Sequence, residues 1–368
     1  MRSPTVTPQL QRMAAQAAHN PARVWTTLAH LIDEDWLREA SRRTRKSSAA
    51  GIAGVTAQQY AAHLEETLRA LHERLRSGVD HAAPVERGWI ATDDGGRRPI
   101  GQPAFEDTMV QRAVARLLEA IYAQDFSDGS YGFRPGRSPH AARHERRERC
   151  MTEGMGGIVD AEGRGAFARI DRTRRREVLR QRVHDGRVLR LMGQWVRAGV
   201  MAEGVLRHPE TGVVQGGVIA PLRAPIFLPH VLEAWLEPAV RARMQGRGLL
   251  IRFADDCVIG GALAGDARRI MAVLPKRCAR CGLRMHPTQT ALLACRKPEA
   301  HPGSAPGNGP CDLLGLPHSW SRSRRGFGGS KRRTARKRLC RTQKALWRWG
   351  HIKRHAPMQS QSQQLCQQ

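Results

Sequence analysis

Acidic residues are scarce in this chain of 368 residues, and none follows Asp312. Lys and Arg number 61 against 33 Asp and Glu, which leaves a net charge of +28. An imbalance of that size points to a polyanionic partner, for which nucleic acid is the default. Long apolar runs are missing as well. No stretch reaches the ~18 residues of a membrane span, and the first sixteen residues, MRSPTVTPQLQRMAAQ, lack the apolar segment of a secretory signal. The eight cysteines do not complete a metal-binding pattern. Cys278 and Cys281 form one CxxC, with Cys295 and Cys311 downstream, but no second CxxC or His pair accompanies them. Scattered buried thiols, kept reduced in a cytoplasmic protein, are the expectation. No internal repeat is visible.

The positive charge is concentrated at the C-terminal end. SRSRRGFGGSKRRTARKRLCRTQKALWRWGHIKRH is dense in Arg and Lys, with Trp320 just before it and Phe327, Trp347 and Trp349 interleaved. Aromatic rings beside cations suit base stacking together with backbone neutralisation. A solvated basic tail is the plainer alternative for such a run.

Periodicity predicts a mixed chain. Helices are expected over 23–43, over 56–78 with Thr56 as N-cap and Gly78 as stop, and over 106–126. In the second, Tyr60, Leu64, Leu68, Leu71 and Leu75 share a face; in the third, Val110, Val114, Leu117 and Ile121 do. Residues 85–101 read as β, with Asp94-Gly95-Gly96 as turn. A short strand over 156–163 precedes helices over 172–183 and 186–199. A long helix over 218–244 must bend or break at Pro225 and Pro229. Residues 264–282 are helical again, and the Gln/Ser-rich end reads as disordered. This order describes an α+β domain with an antiparallel sheet and helices on one face.

One segment breaks the pattern. GLLIRFADDCVIGGAL, residues 248–263, is the most strand-like stretch, yet it holds Asp255 and Asp256 side by side. Charged groups are rarely buried unless paired or bound to a metal. Two apolar arms with the acids at a hairpin tip would let the flanks stay buried while the carboxylates reach solvent. Their repulsion still needs a divalent cation. Metal-dependent phosphoryl transfer uses carboxylates converging from different strands on two ions about 3.5–4 Å apart. Asp160 and Glu162, two apart on the short strand, are the candidates for the third acid, because i and i+2 share a face. An Asp/Gly-rich surface turn is the alternative.

The surrounding segments carry a resemblance. RFADDCVIG resembles the (Y/F)xDD box of reverse transcriptases, and AAGIAGVTAQQY, GGRRPIGQPAFEDTMVQRAV, SYGFRPGRSPHAA, VVQGGVIAPLRAPIFL, CGLRMHPTQT and LLGLPHSWSRSRRG are similar, in order, to boxes of one branch. That branch is the bacterial group II intron-encoded reverse transcriptase/maturase, and the match runs from about residue 31 to the Arg354-His355-Ala356-Pro357 tetrapeptide. The resemblance implies a right-hand polymerase: an N-terminal helical segment (1–46), fingers (47–156), palm (157–310), the start of a basic thumb (311–357) and a disordered tail (358–368). It implies Asp255, Asp256 and Glu162 as catalytic ligands of two Mg²⁺ ions, with Mn²⁺ as a substitute. Phe167 falls on the residue that selects dNTPs by blocking a 2′-hydroxyl. Arg97 and Arg98 match a basic pair suited to an incoming triphosphate, and Gln215, Gly216 and Gly217 would lie beside template and nucleotide. The implied partners are intron RNA as template, a DNA primer and dNTPs, with no membrane.

The departures fall on functional positions. Glu162 stands where the branch has its first-strand Asp, Ala168 where it has the Asp of FFD, Val214 at the Pro of PQGG and Ala53 at the Asp of AAGVDG. Gln289 replaces a Lys, and Arg223 and Pro225 replace Leu and Asn in a helix expected under the active site. The maturase helices expected after Pro357 are missing, so a diverged, C-terminally truncated copy is expected. Asp→Glu shifts the carboxylate by about 1 Å in a site where Mg²⁺ demands near-octahedral geometry, and ~1 Å of misplacement costs on the order of 10²-fold in rate. An impaired RNA-directed DNA polymerase is therefore expected, with a catalytically inactive intron-RNA-binding remnant, or a decayed fragment, as the alternatives.

Overall fold

A computed structural model describes residues 6–44, 50–91, 96–132, 134, 136–162, 172–207, 226–254, 256–283, 285, 290–295, 311–313, 316–322, 328–332 and 336–366. Helices α1 (Val6–His19), α2 (Glu34–Arg43), α3 (Ala57–Ala62) and α4 (Leu64–Ser77) come first. Strands β1 (Val85–Ala91) and β2 (Arg97–Gln102) follow, then α5 (Phe105–Tyr122), α6 (Pro139–Thr152) and β3 (Gly157–Glu162). Next are α7 (Arg172–Arg180), α8 (Gly186–Arg197), β4 (Val200–Ala202), β5 (Val205–Arg207) and a helical stretch α9 over 226–240. Strands β6 (Gly248–Phe253) and β7 (Asp256–Gly261) lead into α10 (Ala264–Arg280) and β8 (Ala291–Ala294). Strands β9 (Cys311–Leu313), β10 (Leu316–Arg322) and β11 (Gly328–Arg332), then α11 (Arg336–Lys353) and α12 (Met358–Cys366), end the chain.

Most local expectations are met by identifiable chemistry. Thr56 closes a capping box with Gln59, and Gly78 ends α4 in the left-handed region that lets its N–H reach the Arg74 carbonyl. The helix over 56–78 is interrupted at His63, so α3 and α4 are separate. All of Val110, Val114, Leu117 and Ile121 are buried on α5, where the Trp36 indole N–H from α2 donates to the Ala113 carbonyl at 3.1 Å.

Other expectations are corrected. The helix over 23–43 shrinks to α2, because the preceding backbone donors are taken from afar. Buried Asp185, which caps α8, accepts from Leu28 N–H at 2.5 Å and Ala29 N–H at 2.8 Å. Trp25 also exchanges backbone hydrogen bonds with Arg182 and His184. The chain's end is helical where no order was expected: the Gln361 side chain in α12 donates to the Lys353 and Ala356 carbonyls at 3.0 and 2.8 Å, satisfying the end of α11. In the long helix, Pro225 lies outside the described residues. Pro229 opens a wide turn, with Ala234 N–H donating to its carbonyl five residues back, and Pro238 sits in a second wide turn, Leu236–Val240. Widening lets a helix pass a proline that lacks a donor and crowds the turn before it.

The described strands form three sheets, ordered β2-β1-β4-β5, β6-β7-β3-β8 and β11-β10-β9. All pairings are antiparallel except β1 with β4. The expected α+β organisation with an antiparallel sheet therefore holds. Helices on one face only does not. Val159, Ala161, Leu250, Cys257 and Ile259 join the core that includes α5, α9 and α10, while Ile158, Leu249, Ile251 and Val258 pack with Ala142 and Cys150 of α6 on the other side. The unbroken apolar run Leu249-Leu250-Ile251 is the signature of a strand buried on both faces.

Asp185 gives this architecture a measurable pH dependence. Burial pushes its carboxyl up, but four backbone N–H donors (Leu28, Ala29, Arg187 and Val188) outweigh that and hold it below the usual range. A depressed folded value stabilises the protein above the unfolded pKa of ~3.9, and that contribution fades as pH falls through the folded value. Asp185→Ala is expected to lower stability by about 1.5–3 kcal/mol at pH 7. In urea titrations, the gap between variant and parent should narrow below pH ~4.

Candidate active site: the acidic hairpin and its buried support

Strands β6 and β7 form the expected hairpin. Phe253 pairs with Asp256, so the hairpin reverses over the two positions between them, the first of which is Ala254. Such turns need a left-handed residue at the first central position, and Ala254 takes it with φ +57. A Cβ in that region costs about 1–2 kcal/mol, so the surroundings must impose it. The 129–132 backbone does this from the outer edge of β6. Tyr131 N–H donates to Arg252 O and Arg252 N–H to Gly129 O, both at 2.8 Å. The approach is close enough that a Cβ on Gly129 would lie 1.9 Å from Leu250 O, and one on Gly132 2.2 Å from Ala254 N.

Beneath the turn lies a buried charge pair. Arg252 is fully buried, with Nε 2.8 Å and Nη2 2.7 Å from Glu233 Oε1. Its Nη2 also donates to Ser130 Oγ at 2.5 Å and its Nη1 to the Ala254 carbonyl at 3.3 Å. The second Glu233 oxygen accepts from Ser127 N–H at 2.8 Å. Arg134 donates to the Ser127 and Ser130 carbonyls and stacks over Phe126, 5.4 Å from the ring centre. One side chain thus fastens the acidic turn to α9 and to the 126–134 segment.

At the tip, Asp256 is half-buried, and the β3–β7 register places position 162 directly across from it. Asp160, also half-buried, lies two residues along β3, across from Val258 and on the strand face that Asp256 shares. Directly opposed positions have Cβ atoms about 4.5–5.5 Å apart, where like charges repel. An all-oxygen donor set at that spacing fits a hard divalent cation. Between these acids and the core, burial pushes the Cys257 thiol far up, reinforced by Cys278, Asp160 and Asp256. Burial likewise pushes Cys278 up to about 11. Both are neutral packing groups near pH 7, as expected for scattered thiols.

The other sequence candidates are less completely placed. Asp255, Phe167, Ala168, Val214, Gln215, Gly216, Gly217, Arg223, Pro225 and Gln289 lie outside the described residues, as does the side chain of Glu162. Arg97 and Arg98 occupy β2 in the separate sheet, across from Ala91 and Ile90; Arg97 is exposed. Among the described residues no three His, Cys, Asp or Glu side chains gather as a metal site. Sequence reasoning passed over Arg252, Glu233 and Ser130. A cation ending an apolar strand and a lone acid inside HVLEAW were the available signals.

Comparison with known proteins places the chain among relatives. A family described as "Reverse transcriptase (RNA-dependent DNA polymerase)" matches residues 90–318. The chain is 33% identical over 226 residues to "Protein YkfC" of Escherichia coli K12, covering 59% of each protein. It is 29% identical over 232 residues to "Group II intron-encoded protein LtrA" of Lactococcus lactis, covering 62% of this chain and 38% of that one. It is 30% identical over 165 residues to an "Uncharacterized 91 kDa protein in cob intron" of Schizosaccharomyces pombe, covering 45% of this chain and 20% of that one. The chain thus spans less than two thirds of the length of each of these relatives.

The support network predicts strong coupling. Arg252→Met alone should destabilise the protein by about 3–5 kcal/mol, because it strands a buried carboxylate. Adding Glu233→Leu should recover much of that loss. A double-mutant cycle in urea tests this, and additive losses would contradict the pairing.

Proposed function

The chain belongs to the reverse transcriptase (RNA-dependent DNA polymerase) family, and from that premise we propose that it copies RNA into DNA as a group II intron-type enzyme. The observation that carries the proposal is the register of β3 and β7, which sets position 162 opposite Asp256 at the hairpin tip. The region around 47–156 corresponds to fingers, 157–310 to palm and 311–357 to the start of a thumb.

Members of this family use divalent metal ions. Here Asp255, Asp256 and Glu162 would hold two Mg²⁺ ions, with Mn²⁺ as a substitute; bound there, the ions would acidify the primer 3′-hydroxyl and neutralise charge on the departing pyrophosphate. The primer 3′-oxygen forms a bond to the α-phosphorus of the dNTP as the bond to pyrophosphate breaks, and the hydroxyl proton is released. Arg97 and Arg98 would grip the triphosphate with forked donors. Phe167 would exclude a 2′-hydroxyl, and Gln215, Gly216 and Gly217 would lie beside template and nucleotide, where the two glycines allow close backbone approach. Intron RNA as template and a DNA primer complete the substrates. No helix among the described residues is long and apolar enough to cross a membrane.

Glu162 tunes this proposal. Its extra methylene displaces a ligand that needs near-octahedral placement. Primer extension on an RNA template with Mg²⁺ or Mn²⁺ should therefore be slow for the parent and rise on the order of 10²-fold in Glu162→Asp. Asp255→Ala or Asp256→Ala should abolish it. No gain in the first and no loss in the others would refute the polymerase reading. RNA binding that falls steeply with salt and ignores Asp255→Ala would then identify an RNA-binding remnant, the reading that Glu162 itself favours.

A further inference from the structure

Glu233 is a buried acid that stability alone does not call for. It is 4% exposed, at the end of the wide turn Pro229–Glu233 of α9, and its partner is Arg252 on β6. Apolar residues of similar volume often replace such a pair with no loss of stability. What an apolar pair cannot do is hold a backbone carbonyl. Arg252 does so, its Nη1 donating to Ala254 O at 3.3 Å. Ala254 sits at φ +57, a conformation that a Cβ disfavours. Because a peptide unit is planar, directing that carbonyl towards Arg252 fixes the whole unit, and with it the direction in which the chain leaves for Asp256. The guanidinium is itself aimed from behind. Glu233 Oε1 faces both Nε and Nη2, Nη2 also donates to Ser130 Oγ, and the Phe126 ring centre lies 6.0 Å from Cζ. That leaves Nη1 for the turn. Glu233 is pinned in turn, since its other oxygen accepts from Ser127 N–H.

We propose that Glu233 is a positioning residue: acting through Arg252, it sets the turn from which Asp256 presents its carboxylate to a divalent cation. This deepens the polymerase reading, on which it rests for its consequence in catalysis. The pair serves geometry more than stability, so the two effects separate on substitution. Removing both charges relieves the interior of its ions but leaves the Ala254 carbonyl unheld. The turn then relaxes from its left-handed residue, and the acid that follows it loses its fixed place. Metal affinity therefore falls where folding does not.

Mn²⁺ binding to the full chain, read by loss of the free-ion EPR signal without nucleic acid or nucleotide, is compared with urea stability in the same variants. Asp256→Ala defines this site's share of the binding. The double variant Arg252→Met/Glu233→Leu should recover much of the stability that Arg252→Met loses. It should nevertheless bind Mn²⁺ at this site about 10- to 100-fold more weakly, the usual loss when groups that orient a metal ligand are removed. In primer extension its kcat should fall by a similar factor while the dNTP KM stays within about twofold, as for an interaction made in the transition state. Ser130→Ala keeps the charge pair and removes one acceptor from the guanidinium. It should weaken Mn²⁺ binding in the same direction while urea unfolding stays cooperative. Parent-like Mn²⁺ affinity in a folded double variant, or in Ser130→Ala should the double variant not fold, would overturn the proposal. So would a parent that binds Mn²⁺ no better than Asp256→Ala. A parent that extends no primer, yet loses its Mn²⁺ site with Glu233, would sink the polymerase reading and leave the positioning role standing. Equal extension by parent and double variant would do the reverse.

Discussion

Burying a guanidinium without any solvent contact is tolerable only if its donors find partners, and Arg252 organises the acidic hairpin around that requirement. Its partners come from three places: Glu233 on α9, Ser130 in the loop before α6, and the Ala254 carbonyl in the turn itself. None can move without leaving a charge unmatched in a dry interior. The left-handed Ala254 is held by this constraint and by the glycine backbone pressed against β6. The turn that leads into Asp256 is thus fixed from Arg252, two residues before it begins. A network of this kind rigidifies when complete and fails sharply when any member is lost.

Much of the architecture was readable from the residues. The 3.6-residue stripes of α4 and α5, the capping box at Thr56, the stop at Gly78 and the hairpin over 248–261 all follow from local chemistry. What escaped was non-local. The helical pattern over 23–43 is locally sound, but Asp185 claims the Leu28 and Ala29 amides from across the chain. Gln361 similarly orders a Gln/Ser-rich end by reaching back to α11. At the site, the paired acids stood out because charge inside an apolar strand is rare. Arg252 carries the same anomaly with the opposite sign and was overlooked, since its partner lies in a different element.

Charge also divides the molecule's tasks. Acids are few, and several of those present are consumed in structure: Asp185 and Asp266 accept backbone N–H groups, and Glu233 holds Arg252. Asp160 and Asp256 stay half-exposed beside position 162. In a chain of net charge +28, this pair of half-exposed acids is a local exception to the prevailing positive charge. That pattern suits a site where cations and a polyanion must meet.

The Asp185 clasp also imposes an order of assembly. It joins residues separated by 157 positions, and a chain made at ~5–20 residues per second would need roughly 8–30 s to deliver the second after the first. During that interval the Trp25, Leu28 and Ala29 amides lack the acceptors they take from Arg182 and Asp185. Nascent chains halted before residue 185 should therefore be the forms most dependent on chaperones, and release should follow emergence of α8.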